Sequence, residues 1–530
     1  MQELSMQPPT KITSAVIAVA AAFGLAACST TVTDSSAATS ATSTSSTTST
    51  SSGGAATAAN AAASSSKLLA DNVTSHAEAD DAAYDSVDAT IALKDGASTT
   101  SSDAGVAISG DTITISAPGT YQLSGTLSNG SVVVASDAEG KVRLVLDNAS
   151  ITNSAGAAIA ITAADEVVVV LADGTTNALA DGTAYDTSAE DAPDAALFSM
   201  ADLTIAGSGA LTVTGNTNDG IASKDGLVIQ AGDVTVTAAD DGIRGKDYLI
   251  VEGGTLNITA ADDGLKSDNE ADDTVGYVLL TGGSVTVSAG DDGIHAEGDL
   301  GISGGTLTVT KSNEGIEGAN IVLAGGATTI TASDDGVNTS SGSGGGGGMG
   351  GGPGGGGMQD DGSLLQISGG TLVVDAGGDG LDSNGSTEIS GGTIVVSGPT
   401  SNGNGSLDSN GGITVTGGTV VAAGSAGMAE SPNSASTTGW LQVNFNPAVA
   451  AGETLSIVSD GKVLASFTTT KEVANLVFAS PDLSSTGSYD IYLGGTLASD
   501  KVGTFSAGGS IDGAASLGTV TAGQATGGMR

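Results

Sequence analysis

Cysteine is almost absent from this chain. The single one, Cys28, excludes a disulfide framework and any cysteine-built metal centre. Bases are scarce: 14 Lys and Arg stand against 59 Asp and Glu, a net charge of −45. Phosphate binding needs a basic footprint, so nucleic acid is excluded as a partner. Aromatics make up 3% of residues, and there are 2 histidines. No Ser/His/Asp arrangement, His or Cys metal cluster or phosphate loop occurs, so enzyme chemistry is weakly signalled. Helical periodicity of any length is missing too.

Glycine is abundant instead, at 83 of 530 residues. A composition of glycine and small, β-branched residues fits a fold of short strands and tight turns around a narrow core. The apolar run 15–27 is too short to span a bilayer as a mature helix, and it ends in Leu25-Ala26-Ala27-Cys28. That ending resembles a bacterial lipobox, which implies acylation of Cys28 and a lipid anchor on the extracellular face of the cell envelope. Residues 1–28 are therefore read as a signal peptide. The Ser/Thr/Ala tract 29–66 cannot bury enough apolar area to order itself and is read as a tether.

A tripeptide then recurs: Asp219-Gly220-Ile221, Asp241-Gly242-Ile243, Asp263-Gly264-Leu265, Asp292-Gly293-Ile294, Glu314-Gly315-Ile316, Asp335-Gly336-Val337 and Asp379-Gly380-Leu381. The glycines step by 22, 22, 29, 22, 21 and 44 residues. A fixed period of this size marks stacked units. Each unit offers three short extended stretches, such as Tyr248–Val251, then Leu256 and Ile258 alternating with polar neighbours, then Leu265 after the acid. The pattern predicts an all-β chain: a right-handed parallel β-helix with three strands and about 22 residues per coil. Degenerate coils are expected over 67–199 and regular ones over 200–433, interrupted by the insertion 342–358, in which 13 of 17 residues are glycine. A small β domain or cap is expected over 434–530.

Neighbouring coils of such a stack lie about 4.8 Å apart. Carboxylates in register at that spacing repel by roughly 3–4 kcal/mol at an effective dielectric near 20. Binding a hard cation relieves the column, and calcium takes six to eight oxygens. The candidate ligands are Asp219, Asp240, Asp241, Asp262, Asp263, Asp291 and Asp292, with Asp268, Asp272 and Asp273 from the lengthened coil, and Asp334-Asp335 is a further acidic pair of the same kind. The competing view is that Asp-Gly is a turn dipeptide whose Asp caps its own backbone. Four bases, Lys224, Arg244, Lys246 and Lys266, fall on the acid side of the repeat. They either pair with the neighbouring acids or form a cradle for carboxylated sugars.

The stretches Asn218–Asp225, Ala239–Asp247, Gly264–Asn269, Gly380–Gly385 and Asn402–Asp408 together resemble a family of secreted bacterial carbohydrate-binding β-helix proteins. The resemblance implies a pectate-lyase-like fold, calcium sites and binding of cellulose or acidic sugars such as polygalacturonate. The expectation is a lipid-anchored, monomeric, calcium-dependent binder of plant-type or uronate-containing polysaccharide. Two other readings stand beside it. One is a calcium-dependent polysaccharide lyase with Lys246 or Lys266 as base. The other is a passive β-helical stalk or adhesin.

Overall fold

The structure is a computed structural model that describes residues 69–189, 191–341 and 359–529. Cys28, the tract 29–66 and the insertion 342–358 lie outside the described residues. Those residues form β-structure throughout, without a helix.

Strands pair with their counterparts one repeat away, and most pairs are parallel. Three ladders result. In the first, Tyr248–Val251 lies beside Gly226–Ile229 and Tyr277–Leu280. In the second, Thr255–Ala260 lies between Asp233–Ala238 and Ser284–Ser288. In the third, Ile243–Gly245 lies between Asp219–Ser223 and Leu265–Ser267. Strands of the second ladder alternate buried and exposed, as in Leu256, Ile258 and Ala260 against Thr255, Asn257 and Thr259. That is the period-two pattern of a half-buried strand. Buried Val, Ile and Leu from all three ladders merge into one core reaching from Ala89 to Ala479. The parallel pairing starts early, where Ala89–Lys94 lies against Gly119–Leu127 and the latter against Lys141–Thr152.

Two kinds of glycine hold the repeat together. The second residue of each Gly-Gly pair is left-handed, with φ of +86° at Gly254, +78° at Gly283 and +73° at Gly370, so it makes the turn between the first and second ladders. The glycine of the Asp-Gly tripeptide works differently. A Cβ on Gly242 would stand 2.4 Å from Ile258 Cγ2 and 2.5 Å from the carbonyl oxygen of Gly264. It is a close-approach glycine, and the turn-dipeptide account does not describe it.

At the C-terminal end, Val473–Ser480 pairs antiparallel with Thr419–Gly424 and with Gly439–Val449, covering the open edge of the second ladder. A separate six-stranded antiparallel sheet follows, built around Thr454–Ser459 and Lys462–Thr468. Its core includes Leu441, Phe467, Phe478 and Phe505 together with Val421 of the repeat. Lys471 ties this part down through Asp375, at 2.6 Å, and the carbonyl of Ala376, at 2.5 Å.

Residues 69–88 precede the first ladder strand and lie across later repeats. Val73 bonds Thr274 and accepts from the Tyr277 hydroxyl at 2.8 Å. His76 meets the Tyr248 hydroxyl at 2.7 Å and the Thr204 hydroxyl at 2.9 Å. Glu78 and Asp81 pair with Lys141. Nothing in the local sequence of this strap carries the repeat signature, so its place was not expected.

Candidate cation and carbohydrate site on the third ladder

The tripeptide places its acid at the start of a third-ladder strand for Asp219 and just ahead of it in the other repeats, and the backbone locks successive acids in register. Gly242 N–H donates to Asp263 O, Gly264 to Asp292 O and Gly293 to Glu314 O, at 2.8, 2.8 and 3.1 Å. Side chains join in. The Asp263 amide donates to the Asp241 carboxylate at 3.2 Å, and the Asp292 amide to that of Asp263 at 2.9 Å. Asp219 is fully buried, and Asp241, Asp263 and Asp292 nearly so. The first member of each acidic pair behaves otherwise: Asp240 and Asp262 are half-buried and Asp291 is exposed.

Three residues after each acid, the register forms a second column: Ala222, Arg244, Lys266, His295, Glu317, Asn338 and Asp382, which Asp408 continues opposite Asp382. It runs from cations to anions along the stack. At the cationic end the carboxylates are answered internally. Arg244 reaches Asp219 and Asp194 at 2.8 Å and Asp268 at 3.3 Å. Lys266 sits 2.8 Å from Asp263, 3.3 Å from Asp241 and 3.8 Å from Asp262. Lys224 pairs with Asp194 at 2.5 Å and lies 5.9 Å from the Phe198 ring centroid. Burial works against the Lys266 ammonium, but Asp263 and Asp241 outweigh it and hold its pKa above the usual lysine range. It is a poor proton acceptor for a lyase step. Of the four predicted sugar-binding bases only Lys246 is exposed, and it makes no ion pair among the described residues.

Further along, the answering cations stop. His295 meets Asp292 and Glu317, both at 3.1 Å. Beyond it, Asp335, Asp379 and Asp382 bring carboxylate oxygens within 4.8 Å of one another. No Lys or Arg pairs with any of the three among the described residues. Burial raises Asp335 and Asp379 to about 6 and Asp382 to about 7, with mutual repulsion adding to it. Burial likewise raises Glu314 to about 8 and Glu430 to about 7. Asn338 adds an amide whose Oδ1 is buried without a partner, while its Nδ2 donates to Glu314 and Glu317.

The predicted metal ligands therefore divide. Asp219, Asp241, Asp262, Asp263 and Asp268 face built-in cations and Asp292 faces His295, yet Asp240 gathers with Asp241 and Asp262, and Asp291 with Asp262 and Asp263, each set with carboxylate oxygens within 4.8 Å of one another. Asp272 and Asp273 lie elsewhere, in a cleft of about 400 Å³ with Glu270, Glu297, Asp299 and Asp361. Of the unanswered group, Asp335 belonged to an acidic pair offered as calcium ligands, while Asp379 and Asp382 were not among the predicted ligands. The group's signal was present in the third-residue column, which changes sign after His295.

Residues 109–352, a little under half of the chain, match a family model described as carbohydrate-binding domain-containing protein. None of the curated proteins matches the chain. A solved structure of a polysaccharide lyase-like protein from C. thermocellum, a gadolinium derivative, is similar at 28% identity. That likeness covers 55% of this chain and 95% of the other, with a TM-score of 0.39.

Proposed function

We propose that this chain is a calcium-dependent carbohydrate-binding protein of the cell surface, held by lipid on Cys28, that captures plant-type or uronate-containing polysaccharide. The observation that carries the carbohydrate reading is the family match over 109–352, which contains the cationic half of the column and its turn to anions. The three parallel ladders with a shared core support a right-handed parallel β-helix of three strands per coil, since parallel crossovers are right-handed in nearly all known cases. Monomeric behaviour is part of the proposal, because the cap already covers the edge at the C-terminal end.

Calcium belongs at the anionic end. Asp335, Asp379 and Asp382 offer closely spaced hard oxygens with no competing base, and calcium completes its shell with carbonyls and water. At Asp219, Asp241 and Asp263 the guanidinium of Arg244 and the ammonium of Lys266 already stand where a metal would neutralise charge. The same pairing shapes sugar recognition. With Lys224, Arg244 and Lys266 engaged, a uronate carboxylate would meet bound calcium, and Lys246, four ladder steps before Asn338, would meet another part of the polysaccharide.

The test is affinity electrophoresis of the full chain through gels containing polygalacturonate or cellulose derivatives, with calcium or with a chelator. Retardation by at least one polysaccharide in calcium, lost in chelator, is expected. Equal mobility in every gel would refute carbohydrate binding, and retardation insensitive to chelator would refute its calcium dependence. Asp382→Asn should abolish the calcium effect, and Lys246→Ala should weaken retardation by polygalacturonate.

A further inference from the structure

His295 is the one titratable side chain of the third-residue column that is neither a permanent cation nor a carboxylate. Lys266 lies in register on one side and Glu317 on the other. Its Nδ1 stands 3.1 Å from Asp292 Oδ2 and 3.1 Å from Glu317 Oε2, so one nitrogen faces two carboxylates from successive coils. Glu314 brings a third carboxylate within 4.8 Å of those two.

We infer that Asp292, His295, Glu314 and Glu317 form a site for a divalent transition ion of the zinc type, distinct from the calcium group one coil beyond. Three observations converge on it. The first is the donor set. An imidazole nitrogen with carboxylate oxygens suits a borderline ion, whereas calcium prefers oxygen alone. The second is spacing. Nδ1 and the two carboxylate oxygens, joined here by hydrogen bonds of 3.1 Å, would have to open only slightly to the separation of about 3.3 Å that zinc bonds of about 2.0–2.1 Å in a tetrahedron impose on neighbouring donors.

The third lies in the sequence of the column. Every acid of the tripeptide is Asp except Glu314, and the longer side chain occurs in the coil next to His295. Asn338, from the following coil, donates to Glu314 at 2.8 Å and to Glu317 at 3.4 Å. Donors of this kind orient carboxylate ligands from outside the coordination shell. Asp292 is 5% exposed, and no Lys or Arg among the described residues pairs with Asp292, Glu314 or Glu317. A bound dication supplies the missing charge.

The competing account makes His295 a third built-in cation, following Arg244 and Lys266. His295→Lys separates the two, because it repeats the arrangement of Lys266 one coil earlier while removing the metal donor. Metal-stripped full-length protein would be titrated calorimetrically with zinc chloride and, separately, with calcium chloride. Expected is a one-site zinc isotherm in the wild type that His295→Lys abolishes, while thermal stability in chelator and the calcium isotherm are retained. Glu314→Gln, which leaves His295 and its two contacts in place, should weaken zinc binding at least tenfold. Absence of zinc heat in the wild type, or zinc affinity unchanged in His295→Lys, would overturn the inference. Zinc binding without calcium binding supports this site and counts against the calcium reading instead.

Discussion

Acidifying the metal-free chain from pH 8 to pH 5 should stabilise it. The carboxylates at the anionic end decide the sign. Folded, Asp335 and Asp379 titrate at about 6, Asp382 and Glu430 at about 7 and Glu314 at about 8, all raised first by burial. Unfolded, they titrate at about 4. The folded state thus binds more protons throughout that interval, and stability falls as pH rises from about 4 to about 8. Each pKa unit corresponds to about 1.4 kcal/mol. The side chains are partly exposed and titrate together, so the simple sum is too large, and a net gain of about 3 kcal/mol at pH 5 is the reasonable magnitude. Carboxylates held below their usual range, such as Glu317 beside His295, begin to cost stability only at lower pH. Urea unfolding of metal-stripped protein at pH 5 and pH 8 measures the difference. Saturating calcium should narrow the gap by holding Asp335, Asp379 and Asp382 ionised. A stability maximum near pH 7–8 in the absence of metal would show that these acids are solvated, and the electrostatic argument for a cation there would fail.

Lys266→Met removes the ammonium paired with both Asp241 and Asp263, leaving among the described residues a 3.9 Å approach of Arg244 to Asp241 and His295 within 4.8 Å of Asp263, so two nearly buried carboxylates lose their main compensation. A loss of about 3–5 kcal/mol at pH 7 is expected from urea unfolding, and adding Asp241→Asn and Asp263→Asn should return much of it. Gly242→Ala should cost about 1–3 kcal/mol through overpacking against Ile258 and the Gly264 carbonyl. Gly403→Ala, where nothing lies within 4 Å, should stay within about 0.5 kcal/mol in the same assay. Tyr277→Phe deletes the bond to the Val73 carbonyl at about 1 kcal/mol; limited proteolysis should then cleave within 69–88 faster than in the wild type while the repeat stays intact.

The repeat was legible because it is written locally. Each Asp-Gly-aliphatic tripeptide places its own acid, and identical spacing carries Ile221, Ile243 and Leu265 into one register. Alternation in Thr255–Ala260 and the Gly-Gly turns are equally local. The partners of Arg244 were not legible. Its guanidinium reaches back one repeat to Asp219 and, beyond that, to Asp194, which lies 50 residues earlier in a stretch without the motif. Nor could spacing separate Asp268, which faces Arg244, from Asp272 and Asp273 a few residues later in the cleft. The strap failed to show for a related reason: His76 and Tyr248 are 172 residues apart, and no periodicity connects them.

Sign reversal along one column has a chemical consequence for recognition. A chain of net charge −45 has little long-range attraction for a polyanion, and internal carboxylates already hold Arg244, Lys224 and Lys266. Removing those bases from their partners to greet a uronate would expose Asp219 and Asp263 uncompensated, at a cost comparable with any ion pair gained. A bridging cation avoids the exchange, because it satisfies the protein's acids and the ligand's carboxylate together. Built-in bases at one end and unanswered acids at the other thus differ in kind: the first compensate buried carboxylates without metal, and under the proposed function the second would make ligand binding depend on one.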